Sequence, residues 1–151
     1  MVKAFVKAKM IYEDAAYHNA VFVGYDLDGV PRHAHKRGTY TKGEPFKGNV
    51  DGCDPRYSFH WIGKSDMVYV FEAPIDLLSF ISLYQKDWRM HSYVALCGVA
   101  EHALLQLLSD ASQVKRIALC LDNDKAGLQA RERIKQSLAE RGYRDVFPLF
   151  S

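Results

Sequence analysis

The sequence lacks any run of about 18 consecutive apolar residues, which is the length that a helix needs to cross a membrane. Its N-terminus, Met-Val-Lys-Ala-Phe-Val-Lys-Ala-Lys, also lacks the apolar segment of a secretory signal. These two absences argue against a membrane-spanning or secreted chain. The sequence therefore predicts a cytoplasmic protein.

Cysteine is scarce, and the three that occur, Cys53, Cys97 and Cys120, are widely spaced. Two of them fall within apolar, strand-like segments, which predicts reduced thiols rather than a disulfide framework. The chain has no Cys-x-x-Cys pair, and its six histidines form no His-x-x-x-His pair. A zinc or other transition-metal site is therefore not expected.

Excess charge is small, since the formal net charge is +2 over 151 residues. The positive charge is nevertheless concentrated between residues 32 and 47, where the one acid is Glu44. The basic residues of this stretch are Arg32, Lys36, Arg37, Lys42 and Lys47. Two interpretations stay open: a solvated hairpin face, or a contact surface for phosphates.

The hydrophobic pattern divides the chain into two parts, residues 1–66 and 67–151. In the first part, short β-type runs at 20–25, 32–40 and 57–62 predict a small β-rich lobe, and Asp28-Gly29 is typical of a hairpin turn. Residues 5–11 resemble the end of a helix running into a strand, with no cap in front. We therefore expect this chain to be a fragment of a longer protein.

The second part alternates strands with helices. The predicted strands are 68–71, 93–97, 117–121 and 145–150, and the predicted helices are 75–85, 100–108 and 126–141. This order implies right-handed crossovers and a Rossmann-like, mainly parallel four-stranded sheet flanked by helices. The fold class is therefore α/β.

Carboxylates follow two of these strands. Glu72 comes directly after the first strand, and Asp122 and Asp124 come after the third. Because the carboxyl ends of parallel strands meet at one sheet edge, we expect the three acids to converge. An all-oxygen set of this kind suits Mg²⁺ or Mn²⁺, which in turn commonly recruits phosphate oxygens.

Simpler explanations exist for the individual residues. Asp124 could cap the following helix, Asp122 could form an Asx turn, and Asp76, four residues after Glu72, could be a capping acid of the first helical turn. Lys125 is either an exposed residue at the start of a helix or a phosphate contact. Gly127 lies in a first helical turn, where glycine costs roughly 1 kcal/mol relative to alanine, so a close backbone or ligand approach is a plausible reason for it.

Together these residues resemble the TOPRIM domain of bacterial primases, topoisomerases and OLD-family nucleases. The resemblance covers residues 67–150, and the run Asp-Asn-Asp-Lys-Ala-Gly-Leu-Gln-Ala at 122–130 is closest to the primase form. One departure is Ala73, because a glycine usually follows the family's glutamate. Residues 18–59 are similar to the uncharacterised domain that precedes TOPRIM in primase-like proteins of plasmids and conjugative elements.

The resemblance implies roles for particular residues. Asp122 and Asp124 would be metal ligands, Glu72 would be a ligand or a proton-transfer residue, and Asp76 would assist. Nucleic acid would contact Lys36, Arg37, Arg56 and Lys125. Tyr40, Phe46, Tyr57 and Trp61 are candidates for base stacking, although core or hairpin packing is the simpler interpretation of Tyr57.

Three functions follow from this interpretation. The favoured one is Mg²⁺- or Mn²⁺-dependent, primase-like nucleotidyl transfer on single-stranded DNA from nucleoside triphosphates, within a replication protein of a mobile element. RNA is a possible alternative template, and a helicase or another replication protein a possible partner. The other two functions are a nuclease or nicking enzyme that uses the same acids, and a catalytically silent nucleic-acid-binding module.

Overall fold

A computed structural model of the protein describes residues 1–38, 47–98 and 100–149. The chain begins with helix α1 (Val2–Lys7), and four strands then form an antiparallel sheet in the order β1-β2-β3-β4. These strands are β1 (Ile11–Glu13), β2 (Ala20–Tyr25), β3 (Pro31–Arg37) and β4 (Lys47–Asn49). The predicted β-rich character of this part is therefore confirmed.

The predicted hairpin joins β2 to β3. The backbone N–H of Asp26 donates to the carbonyl of Val30 at 2.9 Å, and Gly29 adopts a φ of 77°, a conformation that suits glycine. The β2 segment has the predicted bounds, whereas β3 begins one residue earlier than predicted and ends at Arg37. Residues 39 and 40 of the predicted strand lie outside the described residues.

The second sheet has five strands in the order β5-β7-β6-β8-β9. Four of them are mutually parallel, as predicted: β6 (Met67–Phe71), β7 (Ser92–Ala95), β8 (Arg116–Cys120) and β9 (Asp145–Pro148). The fifth, β5 (His60–Trp61), pairs antiparallel with β7 at the edge. The prediction of four strands was therefore one short, because the segment assigned to the first lobe adds to this sheet.

Three helices connect the parallel strands, as predicted. They are α2 (Pro74–Leu83), α3 (His102–Asp110) and α4 (Lys125–Glu140). The observed ends differ from the predicted ones by two residues or fewer. In α2, Pro74 occupies the first turn, where its missing N–H leaves no hydrogen bond unmade.

The strands of the second sheet carry apolar side chains on both faces of the sheet, and each face is covered by helices. On β6, Val68 and Val70 face the core formed with α3 and α4, whereas Tyr69 and Phe71 face α2. Helix α1 contributes to the core on the α2 face of the sheet through Phe5, which is fully buried there. Within the described parts of the chain, no helix is long and apolar enough to span a membrane.

Candidate metal and nucleic-acid site

Glu72 and Asp122 meet at the carboxyl edge of the second sheet. Strands β6 and β8 are parallel neighbours with Phe71 opposite Cys120, so the residues that follow them leave the sheet side by side. The backbone N–H of Asp122 donates to Oε1 of Glu72 at 3.2 Å. The structure thus brings together two of the acids that the sequence singled out.

The electrostatics of this pair are unfavourable for two negative charges. Burial raises the pKa of the half-buried Glu72 to about 7, and the nearby Asp122 and Asp124 carboxylates add to the increase. A carboxyl group with such a pKa exchanges its proton near neutral pH. It is therefore suited to proton transfer, or to deprotonation when a cation binds.

Asp124 caps helix α4. Its Oδ1 accepts a hydrogen bond of 2.7 Å from the backbone N–H of Gly127, which is the capping role that the sequence left open. The other carboxylate oxygen, Oδ2, takes no part in this cap. Lys125 follows as the first helical residue and is exposed, in keeping with either of its two interpretations.

Asp76 lies in the first turn of α2, the helix that follows β6 and Glu72 in the chain. Desolvation and the negative charge of Asp122 raise the pKa of Asp76, while the positive charge of Arg37 lowers it. This interaction joins the two lobes, because Arg37 is the last residue of β3 in the first sheet. A positive charge of the first lobe therefore acts on an acid beside the carboxyl edge of the second sheet.

The other predicted nucleic-acid contacts lie in different places. Successive residues of a strand point to opposite faces, so Lys36 points away from Arg37, and its Nζ lies 3.5 Å from Oδ2 of Asp14. Arg56 is held by the carboxylate of Asp54 at 2.8 Å and lies over the ring of Tyr57. The structure thus groups only Arg37 of these three with the acids.

Of the aromatic residues predicted to stack on bases, the structure describes Tyr57 and Trp61. Trp61 packs within an aromatic cluster, with ring centroids 5.5 Å from Phe5 and 4.9 Å from Trp88. Its indole N–H donates to the carbonyl of Arg89. Packing therefore accounts for Trp61, whereas Tyr40 and Phe46 lie outside the described residues.

Ala73, where the related family usually has glycine, is the N-cap residue of α2. Its φ of −137° and ψ of 155° are extended values that any residue adopts. The turn after β6 is thus made by Ala73 and Pro74 without a left-handed residue. The departure from the family pattern imposes no backbone strain at this position.

The donor chemistry of the edge fits Mg²⁺ or Mn²⁺. All candidate metal ligands here are carboxylate oxygens. Burial is the main reason for the raised pKa of Glu72, and the neighbouring carboxylates add a repulsion that a cation would relieve. Among residues 1–38, 47–98 and 100–149, however, no three His, Cys, Asp or Glu side chains are gathered closely enough to surround an ion. The structure supplies the Glu72–Asp122 pair, and the metal roles of these residues and of Asp124 stay predictions.

One polar link between the lobes was not predicted from the sequence. The side-chain amide of Asn49 on β4 donates to the carbonyl of Cys97 at 3.0 Å, two residues beyond the end of β7. The sequence shows only that Asn49 is a polar residue close to the basic stretch. It does not show that the side chain of Asn49 binds Cys97, because Cys97 lies 48 residues further along the chain.

The fold and the site define an α/β domain with carboxylates at the edge of a mainly parallel sheet, preceded by an antiparallel lobe. A family model described as Toprim-like matches residues 69–150, more than half of the chain, and the chain belongs to this family. Toprim domains typically bind Mg²⁺ through acidic residues. A second model, described as a protein of unknown function (DUF3991), matches residues 1–65.

Solved structures share the fold over nearly the whole chain. The primase fragment of the bacteriophage T7 primase-helicase protein matches 97% of this chain and 59% of its own, with a TM-score of 0.70 and 19% identity. A DNA primase domain from Pseudomonas aeruginosa matches 99% of this chain and 51% of its own, with a TM-score of 0.60 and 20% identity. The chain therefore spans little more than half the length of these two structures.

A third match comes from bacteriophage T7 lagging-strand DNA polymerase interacting with primase domains bound to an RNA/DNA hybrid and dTTP. The match covers 89% of this chain and 68% of that one, with a TM-score of 0.65 and 20% identity. Among curated proteins, no sequence matches the chain. The predicted resemblance to the primase branch is thus confirmed as a likeness of fold.

Proposed function

We propose that the chain is the core of a primase-like nucleotidyltransferase that acts on single-stranded DNA with Mg²⁺ or Mn²⁺ and nucleoside triphosphates. The observation that carries the proposal is the Glu72–Asp122 pair at the carboxyl edge, with the charge of Arg37 in the other lobe acting on the nearby Asp76. Membership of the Toprim-like family supports the metal, and the fold shared with primase domains supports the reaction class.

The acids take different parts in this proposal. Asp122 and Oδ2 of Asp124 would hold the metal ion, which when bound polarises phosphoryl oxygens. Glu72 would complete the ligand set or take the proton of the attacking hydroxyl, a role for which a pKa of about 7 suits it. Asp76 would assist by its negative charge beside Asp122.

Arg37 is the proposed contact of the first lobe with phosphates, because its positive charge acts on Asp76 beside the acidic edge. Lys125, exposed at the start of α4, would contribute from the other lobe. Lys36 and Arg56 remain proposals for nucleic-acid contact, although both are already paired with acids of their own lobe. The proposed setting is a larger replication protein of a mobile element, working with a helicase or another replication protein.

Primer synthesis on a single-stranded template, followed with labelled triphosphates and Mn²⁺, tests the proposal. Glu72→Gln and Asp122→Asn should each lower the rate by at least about a hundredfold, as expected for groups that transfer protons or bind the metal. Asp87→Asn is the matched control, since Asp87 is exposed beyond the far end of α2. Calorimetric titration with Mn²⁺ should show weaker binding to the two site variants.

The outcomes separate the alternatives. Full synthesis by both site variants would remove these acids from the reaction. Cleavage of labelled DNA with metal but without triphosphates would assign a nuclease instead. DNA binding that persists in the acid variants, together with no Mn²⁺ binding by the unmodified chain, would assign the silent binding module.

A further inference from the structure

We infer that Asn49, held in place by His35, is a positioning residue that fixes the first lobe against the loop after β7 and so sets Arg37 opposite the acids. The inference deepens the proposed function and, for its effect on rate, rests on it. The structural part of the inference does not depend on that function, because it concerns contacts between the two sheets.

The two side chains form a relay from one sheet to the other. His35 and Asn49 are directly opposite each other on β3 and β4, which places their side chains on one face. Nδ1 of His35 lies 2.8 Å from Oδ1 of Asn49, and Nδ2 of Asn49 donates to the carbonyl of Cys97 at 3.0 Å. Because the amide nitrogen must point to that carbonyl, its oxygen faces His35, which therefore carries its proton on Nδ1.

The receiving residue is part of the edge that carries Glu72. Cys97 adopts a φ of 53°, a left-handed conformation that residues other than glycine rarely take. Its backbone N–H donates to the carbonyl of Glu72 at 2.9 Å. Asn49 thus holds one end of the Cys97 residue, while the other end is bonded to the backbone of Glu72.

Arg37 completes the geometry. It lies two residues after His35 on β3, so it shares the face that carries the relay, and its charge acts on Asp76 across the gap between the lobes. Both His35, which is 9% exposed, and Cys97, which is 6% exposed, are shielded from water. A hydrogen bond in such surroundings is directional and therefore restricts sliding of one sheet over the other.

Hydrogen exchange and kinetics of three variants test the inference. Asn49→Asp keeps the shape of the side chain but replaces the amide donor with a carboxylate that faces the Cys97 carbonyl. His35→Leu removes the donor to Asn49, whereas His35→Asn keeps an N–H at the place of Nδ1 and is the matched control. Should Asn49→Asp not fold, Asn49→Ala removes the same donor without adding charge.

The expected result has two parts. Amide exchange in the segment 95–98 should become at least about tenfold faster in Asn49→Asp and His35→Leu, and should stay as in the unmodified chain in His35→Asn. In primer synthesis, the same two variants should lose about tenfold in kcat with an unchanged KM for the nucleotide, since alignment rather than binding is lost.

Three outcomes would overturn the inference. One is unchanged exchange at segment 95–98 in Asn49→Asp, and another is a His35→Asn variant as impaired as His35→Leu. The third is faster exchange throughout the chain with activity lost in proportion to folded protein, which indicates a merely structural role. An unmodified chain without primer synthesis would instead refute the proposed function, while the exchange measurement would still decide the positioning role.

Discussion

Gly127 lies so close to Asp122 that a Cβ atom on the glycine would overlap the carbonyl oxygen of the aspartate. The first turn of α4 is therefore folded tightly against the end of the loop that carries the acids. The same glycine donates its N–H to Asp124. The glycine five residues after Asp122 thus has a steric cause. The close approach expected from the sequence is a contact between the backbones of Gly127 and Asp122.

Replacing Gly127 with alanine should destabilise the protein by about 1–3 kcal/mol, the usual cost of forcing an extra carbon into a filled space. Helix propensity alone would give a gain of about 1 kcal/mol, so the sign of the change is diagnostic. Urea unfolding measures it. Gln129→Ala, an exposed change on the same helix, is the control and should stay within about 0.5 kcal/mol. A more stable Gly127→Ala variant would contradict the close approach.

Arg37 and Lys36 are neighbours in sequence but point to opposite faces of β3, which makes them a matched pair. Arg37→Ala should weaken binding of a single-stranded oligonucleotide and lower the slope of log K against log salt by about 0.7, the value for one lost phosphate contact. Lys36→Ala should change the slope less, because Lys36 is paired with Asp14. Fluorescence anisotropy over a salt series measures both, and equal slopes would refute the proposed difference between the faces.

His33 should make stability depend on pH. Burial, helped by the neighbouring His35, lowers the pKa of His33 from 6.5 to about 4, with Asp54 opposing the shift. Between these values the unfolded chain takes up a proton that the folded protein does not, so the free energy of unfolding falls as pH decreases from about 6.5 to about 4. Above pH 6.5 this contribution is constant.

His33→Leu should flatten that part of the stability profile, which urea unfolding at a series of pH values records. His102→Gln provides the control, because His102 is exposed at the start of α3. A profile for His33→Leu as steep as that of the unmodified chain would show that other groups cause the dependence.

Phe5→Ala should cost about 3–5 kcal/mol of unfolding free energy, as for other fully buried aromatic residues. Phe5 packs against Phe59, Trp61 and Trp88, with ring centroids 5.3 to 5.5 Å apart, and so joins α1 to the core beneath the second sheet. Val6→Ala is the control, since Val6 is 51% exposed. Equal losses for the two variants, measured by denaturant unfolding, would disprove that α1 anchors the fold.

The strand and helix order of the second sheet could be predicted because its signals are local. Runs such as Ile117–Leu119 are apolar on both faces, and helix ends follow from residues such as Pro74 and Gly142. The fifth strand could not be predicted in this way. His60 and Trp61 join β7 at an edge by contacts more than 30 residues away, and two residues carry too little pattern to specify a partner.

The candidate site could also be predicted only where its signals are local. Glu72 and Asp122 could be identified because each lies within two residues of the carboxyl end of a strand of one parallel sheet, which constrains where their side chains emerge. Whether Asp124 caps a helix could not be decided from its residue type, since capping and metal binding both favour aspartate. Its hydrogen bond to Gly127 answers that question, and its role toward a metal stays a prediction.

The sequence by itself determined the class of fold and the acids that reach one sheet edge, because strand periodicity and strand ends are properties of neighbouring residues. Only the tertiary structure decided which basic residue faces those acids. Lys36 and Arg37 have the same charge and adjacent positions, yet they lie on opposite faces of β3, where Lys36 pairs with Asp14 and the charge of Arg37 acts on Asp76. The relay from His35 through Asn49 to Cys97 is likewise a product of packing, since it depends on contacts between segments far apart in the chain.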